Sequence, residues 1–365
     1  MKFISRSSTQ HSGVTRRDAM KIGCTHLTAL SSVSFGLPAA TVQAQPNSGR
    51  PQSHITPAAQ QSIDSGLEYL AGLQREEGSF GASDFSRNVG VVSLAGIAWL
   101  CHGSTPLRGI YASNTRRCLS YLLDNVRNDG FIRTAGAADR RPMYGHGFGT
   151  TFLCLTHGMN AHSATNRARI KLAVEVIVNS QNEDGGWRYE PRRNDADISV
   201  TACQMTALRA AKNAGFYVPN KTISAATEYI QGCQNPDGGF AYQRNSGESE
   251  FARSAAAVVA IYGAGIYDGK SIEDALSYLI TTANDRGYSE NHEYFYYGIL
   301  YAAQAMWQAG QDYWDQWFPK TRDLLIRLQK KEDGRWVDPV GPAYATAVAL
   351  IVLQMENRYV PLFQK

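Results

Sequence analysis

The chain has 365 residues, 43% of them hydrophobic, and its 36 basic and 32 acidic side chains leave a net charge of +4. That excess sits within the first 44 residues, where Lys2, Arg6, Arg16, Arg17 and Lys21 face only Asp18, so the rest is near neutral and offers no charge-based case for binding nucleic acid or an anionic membrane. No later stretch is long and apolar enough to span a bilayer, and Cys101, Cys118, Cys154, Cys203 and Cys233 form no CxxC or Cys/His cluster, so neither a metal nor a cofactor is expected.

Residues 1–44 read as an export leader. Thr15-Arg16-Arg17-Asp18-Ala19-Met20-Lys21 is similar to a twin-arginine signal, a mildly apolar stretch runs from Ile22 to Leu37, and Val42-Gln43-Ala44 is a small-residue cleavage site. This predicts an exported protein, periplasmic or at the cell envelope. Residues 45–56 are polar and contain proline, as in a flexible lead-in. The remainder, 57–365, reads as one domain.

Six times in that domain a helical segment runs into a Gly-aromatic turn and a more apolar segment follows. The turns are Gln74-Arg-Glu-Glu-Gly78-Ser-Phe80, Asn128-Asp-Gly130-Phe131, Gln181-Asn-Glu-Asp-Gly185-Gly186-Trp187, Gln234-Asn-Pro-Asp-Gly238-Gly239-Phe240, Asn284-Asp-Arg-Gly287-Tyr288 and Gln329-Lys-Lys-Glu-Asp-Gly334-Arg-Trp336. Their aromatic residues lie 51, 56, 53, 48 and 48 positions apart, which marks a repeat architecture. The first helix of each unit has an apolar stripe, such as Leu67, Leu70 and Leu73, and a charged face for solvent. The second is apolar all round and should be buried: Val91 to Leu100, Thr150 to Leu155, Ser199 to Ala211, Ser254 to Ile261, Gly298 to Trp307 and Ala345 to Leu353. The segment Gln311 to Pro319 reads as an aromatic-rich insertion between the fifth inner and sixth outer helices. Twelve helices follow, outer alternating with inner. A closed double ring accommodates them better than an open solenoid, because the last repeat is too apolar to be a polar cap.

The pattern Gln-x-x-Asp-Gly-Gly-Trp/Phe, clearest in the third, fourth and sixth repeats, is similar to the repeat of the squalene–hopene cyclase and protein prenyltransferase β-subunit superfamily. The resemblance covers about residues 57–356. It implies an all-α fold, the α/α toroid (α6–α6 barrel) of six helix-pair repeats in a single domain, and structural roles for the motif's Gln and aromatic residues. Full triterpene cyclases carry a second barrel; the resemblance here accounts for one.

Aligning the inner helices on their small residues places Val89, His146, Asp197, Arg253, Glu293 and Tyr344 in the first turns, around one mouth of the ring. Helix capping accounts for an Asp or Glu there. It does not account for Arg253, whose charge opposes the helix dipole and calls for an acidic partner. Tyr144, Phe148, Tyr294, Phe295, Tyr296 and Tyr297 fall nearby, and aromatic faces around acids suit a cationic, apolar species. Asp195-Ala196-Asp197-Ile198-Ser199 resembles the Asp-x-Asp-Asp-Thr motif of cyclases that begin by protonating an alkene. The resemblance implies that Asp197 is the proton donor, with Asp195 beside it. The chain departs from the motif at Ile198 and Ser199. A competing reading has Asp195 and Asp197 cap a helix and pair with Arg192, Arg193 or Arg253.

These readings predict an isoprenoid or other apolar ligand in the central cavity, with acid-initiated chemistry at Asp197 and contacts from His146, Arg253, Glu293, Tyr296 and Tyr344. The alternative is a non-catalytic toroid that binds a lipid, glycan or protein at the cell envelope. Carbohydrate cleavage by the Asp197 and Glu293 carboxylates is a third option. The superfamily's zinc, Asp-Asp-x-x-Asp and thioester chemistries have no matching residues here, and the sequence does not define an oligomeric state.

Overall fold

The structure, a computed structural model, describes residues 53–80, 84–134, 139–159, 163–285 and 288–364. The export leader lies outside the described residues. These residues contain twelve helices: α1 (Pro57–Leu73), α2 (Val89–Cys101), α3 (Ala112–Asp124), α4 (Pro142–Leu155), α5 (Ser163–Ser180), α6 (Ile198–Asn213), α7 (Asn220–Gln231), α8 (Phe251–Gly263), α9 (Lys270–Asp285), α10 (Phe295–Ala309), α11 (Gln311–Leu328) and α12 (Pro342–Leu353). The even-numbered helices form the inner ring. Each packs on the next, from α2 through α12, and α12 packs back on α2. All thirteen residues of α2 are buried, as its uniformly apolar sequence requires. The odd-numbered helices form the outer layer. In α1, Ile63, Gly66, Leu67 and Leu70 face inward, and Thr56 caps the helix start by accepting the Ala59 N–H at 3.2 Å.

The repeat motif acts as a staple. The Gln181 side-chain amide donates to Gly185 O in its own turn and to Thr222 O in the first turn of α7, both at 2.8 Å. Gln74 reaches Asn114 O in α3, and Gln234 reaches Ser271 O in α9, in the same way. Gln329 reaches Ser62 O in α1 at 2.9 Å, which ties the last outer helix to the first and closes the ring. The turn glycine is required twice over. Gly185 has φ +96°, and a Cβ there would sit 2.2 Å from the Ala225 carbonyl oxygen of α7. Gly78, Gly130, Gly238 and Gly334 make the same close approach to the next outer helix.

Two expectations change. Gln311–Pro319 is the first half of α11, because Trp314, Trp317 and Phe318 recur at helical spacing and turn inward together. In the second repeat, Ile132 takes the place of the motif aromatic. It bridges to Val126 as Phe240 bridges to Gln234, and Phe131 occupies the position of Gly239. At the C-terminal ends of the inner helices the chain closes the ring itself. A 3-10 turn, Pro361–Phe363, packs against α6 and α10 and buries Leu362 and Phe363.

Candidate active site

A cavity of about 1030 Å³ opens at the N-terminal ends of the inner helices. That is the upper end of the ~300–1,000 Å³ usual for ligand pockets. Val91, Leu94, Tyr144, Phe148, Tyr189, Tyr242, Tyr297 and Tyr344 supply apolar and aromatic wall, and Asp139, Arg140, Arg141, Glu250, Arg253, His292 and Glu293 supply its charge. Tyr144 of α4 and Tyr297 of α10 meet edge to face across the ring, with centroids 6.3 Å apart, and the Tyr297 hydroxyl donates to Ser199 O at 3.3 Å. Burial holds the Tyr144 and Tyr297 phenols well above their ordinary pKa, so they stay neutral.

Asp197 is the N-cap of α6. Its Oδ1 accepts the Val200 N–H at 2.9 Å, and its own N–H donates to Trp187 O at 3.0 Å. The side chain has no solvent exposure, and Oδ2 lies 3.4 Å from Arg188 Nε without a hydrogen bond of normal geometry. Burial pushes this carboxyl up to about 6, although the Val200 N–H, Arg188 and the Tyr242 hydroxyl pull it down. Asp195 is half exposed and takes Arg188 Nη1 on both oxygens, at 2.8 and 2.6 Å. The competing reading is thus right that Asp197 caps the helix, while Asp195 does not, and the arginine paired with both acids is Arg188, not Arg192, Arg193 or Arg253. Its guanidinium lies over the rings of Tyr189 and Tyr242, which share a hydroxyl–hydroxyl hydrogen bond. Both tyrosines line the cavity, as does Ser199, whereas Asp197 lies behind that wall.

The remaining expected residues divide. Arg253, Glu293 and Tyr344 line the cavity. His146 and Tyr296 do not. Tyr296 is buried against Phe295 and Tyr344. His146 is fully buried: its Nδ1 accepts the Ile132 N–H at 3.1 Å and its Nε2 faces Ala173 O at 3.1 Å, while burial lowers its pKa to about 4. This hydrogen bond corrects the alignment. The Trp187 N–H donates to Thr201, Phe240 to Ser254 and Trp336 to Thr346 in the same manner, so His146 is the counterpart of Thr201 rather than Asp197. Four residues before Ser254 stands Glu250, the true counterpart of Asp197. Glu250 caps α8 through the Ala252 and Arg253 N–H groups at 3.1 and 3.2 Å, and its Oε1 lies 3.3 Å from His292 Nε2. Among the described residues Arg253 forms no ion pair with an acid; it donates to Phe240 O at 3.2 Å and Glu248 O at 3.1 Å. The sequence reading missed Glu250, Arg188, Tyr189 and Tyr242. In the second, third and fourth repeats a hydroxyl or imidazole acceptor 14 residues after Ile132, Trp187 or Phe240 is the signal that would have set the register.

Residues 53–216 and 93–289 match the model of the prenyltransferase alpha-alpha toroid domain, and the chain belongs to this family. Over 88 residues it is 36% identical to drimenyl diphosphate synthase of Streptantibioticus cattleyicolor, a match that spans 24% of this chain and only 16% of that protein. Among solved structures, the type II terpene cyclase MstE from Scytonema with merosterolic acid A superposes with a TM-score of 0.57 at 13% identity, covering 84% of this chain and 98% of that one. Its complex with geranylgeranyl dihydroxybenzoate, the substrate, gives 0.56 at the same identity and coverages. A protein from Actinoplanes gives 0.53 at 13% identity, with coverages of 83% and 99%. At such identity the likeness establishes the fold, and the chain is a terpene cyclase-like toroid. No helix among the described residues is long and apolar enough to cross a membrane.

Proposed function

We propose that the cavity takes an isoprenoid chain and that Asp197 starts its cyclisation by protonating an alkene. The observation that carries this reading is a roomy aromatic cavity with the buried Asp197 carboxyl, of raised pKa, just behind its wall. Oδ1 is held by the Val200 N–H, so Oδ2 carries the proton. In the reaction the alkene π pair takes that proton, the O–H electrons stay on the carboxylate, and the tertiary cation faces the rings of Tyr144, Tyr189, Tyr242 and Tyr297. Tyr189 and Tyr242 have to part for the substrate to reach Asp197. The drimenyl diphosphate synthase segment and the MstE fold agree with this class of reaction.

A second reading, a non-catalytic toroid that holds a lipid, glycan or protein at the envelope, is favoured by one fact. Asp197 as it stands is a fully buried, ion-paired helix cap. Incubation of the purified protein with polyprenyl substrates and a lipid extract separates the two. Cyclised product that disappears in Asp197→Asn supports catalysis; retained ligand that is unchanged by the substitution supports the binder. The leader completes the proposal. Replacing Arg16 and Arg17 by Lys keeps a twin-arginine substrate in the cytoplasm, and unchanged export would defeat that part.

A further inference from the structure

The most exposed apolar side chains stand on one face of the toroid, the end opposite the cavity. Leu107 and Ile110 in the loop after α2, Tyr217 in the loop after α6 and Tyr359 in the tail after α12 are 66%, 78%, 84% and 62% exposed, more than any other large hydrophobic side chain among the described residues. All three segments leave the C-terminal ends of inner helices. The tail joins them into one surface, because the Tyr359 ring lies against Gly103 of the first loop and Pro361–Phe363 packs on α6. Bases accompany them. Arg108, Lys212 and Arg358 are exposed in or beside these segments, and Arg167 covers the Phe216 ring and donates to Gly215 O at 3.3 Å. Residues 102–111, 214–219 and 357–364 contain no acid. The acids stand to the side: Asp64 and Glu68 of α1 act on Tyr111, Asp268 lies in the loop after α8, and Glu356 is spent on Ser53, the His54 N–H and the Trp314 indole. A near-neutral total therefore conceals a basic sector with apolar tips. The chain also enters the domain on this face, where Glu356 and Asp315 hold His54. Upstream lies the apolar run Ile22–Leu37, and residues 38–52 between them can span up to about 50 Å when extended.

We infer that this face docks on a bilayer containing anionic lipid, with Leu107, Ile110, Tyr217 and Tyr359 entering the boundary between headgroups and acyl chains and Arg108, Arg167, Lys212 and Arg358 meeting lipid phosphates. Single exposed apolar side chains are ordinary; the four most exposed gathered on one face among bases make a surface suited to lie in headgroups. Tyrosine fits that boundary because its ring is apolar and its hydroxyl stays wet. The docked toroid turns its cavity away from the bilayer. The inference stands apart from what the cavity holds.

The test places an environment-sensitive fluorescent label on the full chain in a Cys24→Ser background, whose other five cysteines are buried. Ile110→Cys and Tyr217→Cys report on the proposed face, and Val337→Cys, half exposed in the turn before α12, reports on the cavity end. With phosphatidylglycerol vesicles the labels at 110 and 217 are expected to shift to the blue while the label at 337 stays unchanged. Vesicles of phosphatidylcholine should bind at least about tenfold more weakly, with the difference shrinking as salt rises. Read at position 217, Leu107→Ser/Ile110→Ser should weaken binding at least about tenfold, and Arg108→Gln/Lys212→Gln/Arg358→Gln should remove most of the preference for phosphatidylglycerol. These side chains are exposed, so the fold survives their replacement, and the labelled single-site proteins test the orientation without them. Sedimentation with vesicles while the labels at 110 and 217 stay silent means that the leader alone binds, and overturns the inference. So does a blue shift at 337 instead, or no binding to either vesicle.

Discussion

Replacing Asp197 by Asn isolates the cost of the buried charge. Asn keeps an oxygen to accept the Val200 N–H and resembles the protonated acid in size and charge, so the two proteins should be equally stable only where Asp197 is protonated in the folded and the unfolded state alike. The folded carboxyl has a pKa of about 6 against the ordinary 3.8. Between those values the native state keeps a proton that the unfolded state has released, so wild-type stability falls as pH rises through about 6. Integrating over the window gives about 2 kcal/mol between about pH 4.5 and 7.5. Urea unfolding followed by tryptophan fluorescence should therefore find Asp197→Asn the more stable by about 1 kcal/mol near pH 4.5 and by about 3 kcal/mol near pH 7.5, a lead that grows by about 2 kcal/mol across the window. Taking the difference between the proteins cancels the titration of every other group. If the variant is the less stable at pH 7.5, the attraction of Arg188 outweighs burial, the folded pKa lies below the ordinary value, and Asp197 cannot be the neutral acid that alkene protonation needs.

Three further outcomes follow from the same structure. Gly185→Ala forces a side chain into a left-handed turn and against the Ala225 carbonyl, so a loss of about 2–4 kcal/mol in urea unfolding is expected, and a loss under about 0.5 would show that the turn yields. Gln329→Ala removes the amide that joins the last repeat to the first; it should cost about 1–3 kcal/mol and raise hydrogen exchange at the start of α1 and the end of α11. His146 resists protonation in the folded state, with a pKa of about 4 instead of 6.5, so its contribution is fully present above about 6.5 and is lost as pH falls toward 4. Its imidazole nitrogen shifts should stay constant from about pH 8 to 5, and a titration near 6.5 would mean that the ring is hydrated.

The turn motif made the toroid legible because each of its residues has a local task. Gly185 needs positive φ and clearance, Gln181 needs two carbonyls, and Trp187 sends its indole N–H to Ile177 O at 2.7 Å. Such requirements recur with the repeat and so show as a period in one dimension. The exceptions are positions where a neighbour changes the task. Ile132 replaces the motif aromatic in a turn with one glycine fewer, and Trp314, Trp317 and Phe318 belong to a helix whose apolar stripe imitates an insertion.

The site was legible in kind and not in detail. Asp197 was marked by its motif and does cap its helix, and Arg253, Glu293 and Tyr344 do reach the cavity. His146 was misplaced by one helical turn, since small-residue alignment cannot separate a first-turn position from one four residues later on the same face. By itself, then, the sequence determined the repeat, the twelve helices, the closed ring and the acid at the head of α6. Only the tertiary structure decided that this acid is paired with Arg188 and shut behind Tyr242, that Glu250 is its counterpart, and that Arg253 forms no ion pair among the described residues. Local propensities and spacing settle which segments are helices and which face is buried. Partnership among charges depends on which helix ends converge on one mouth, and that is fixed only when the ring closes.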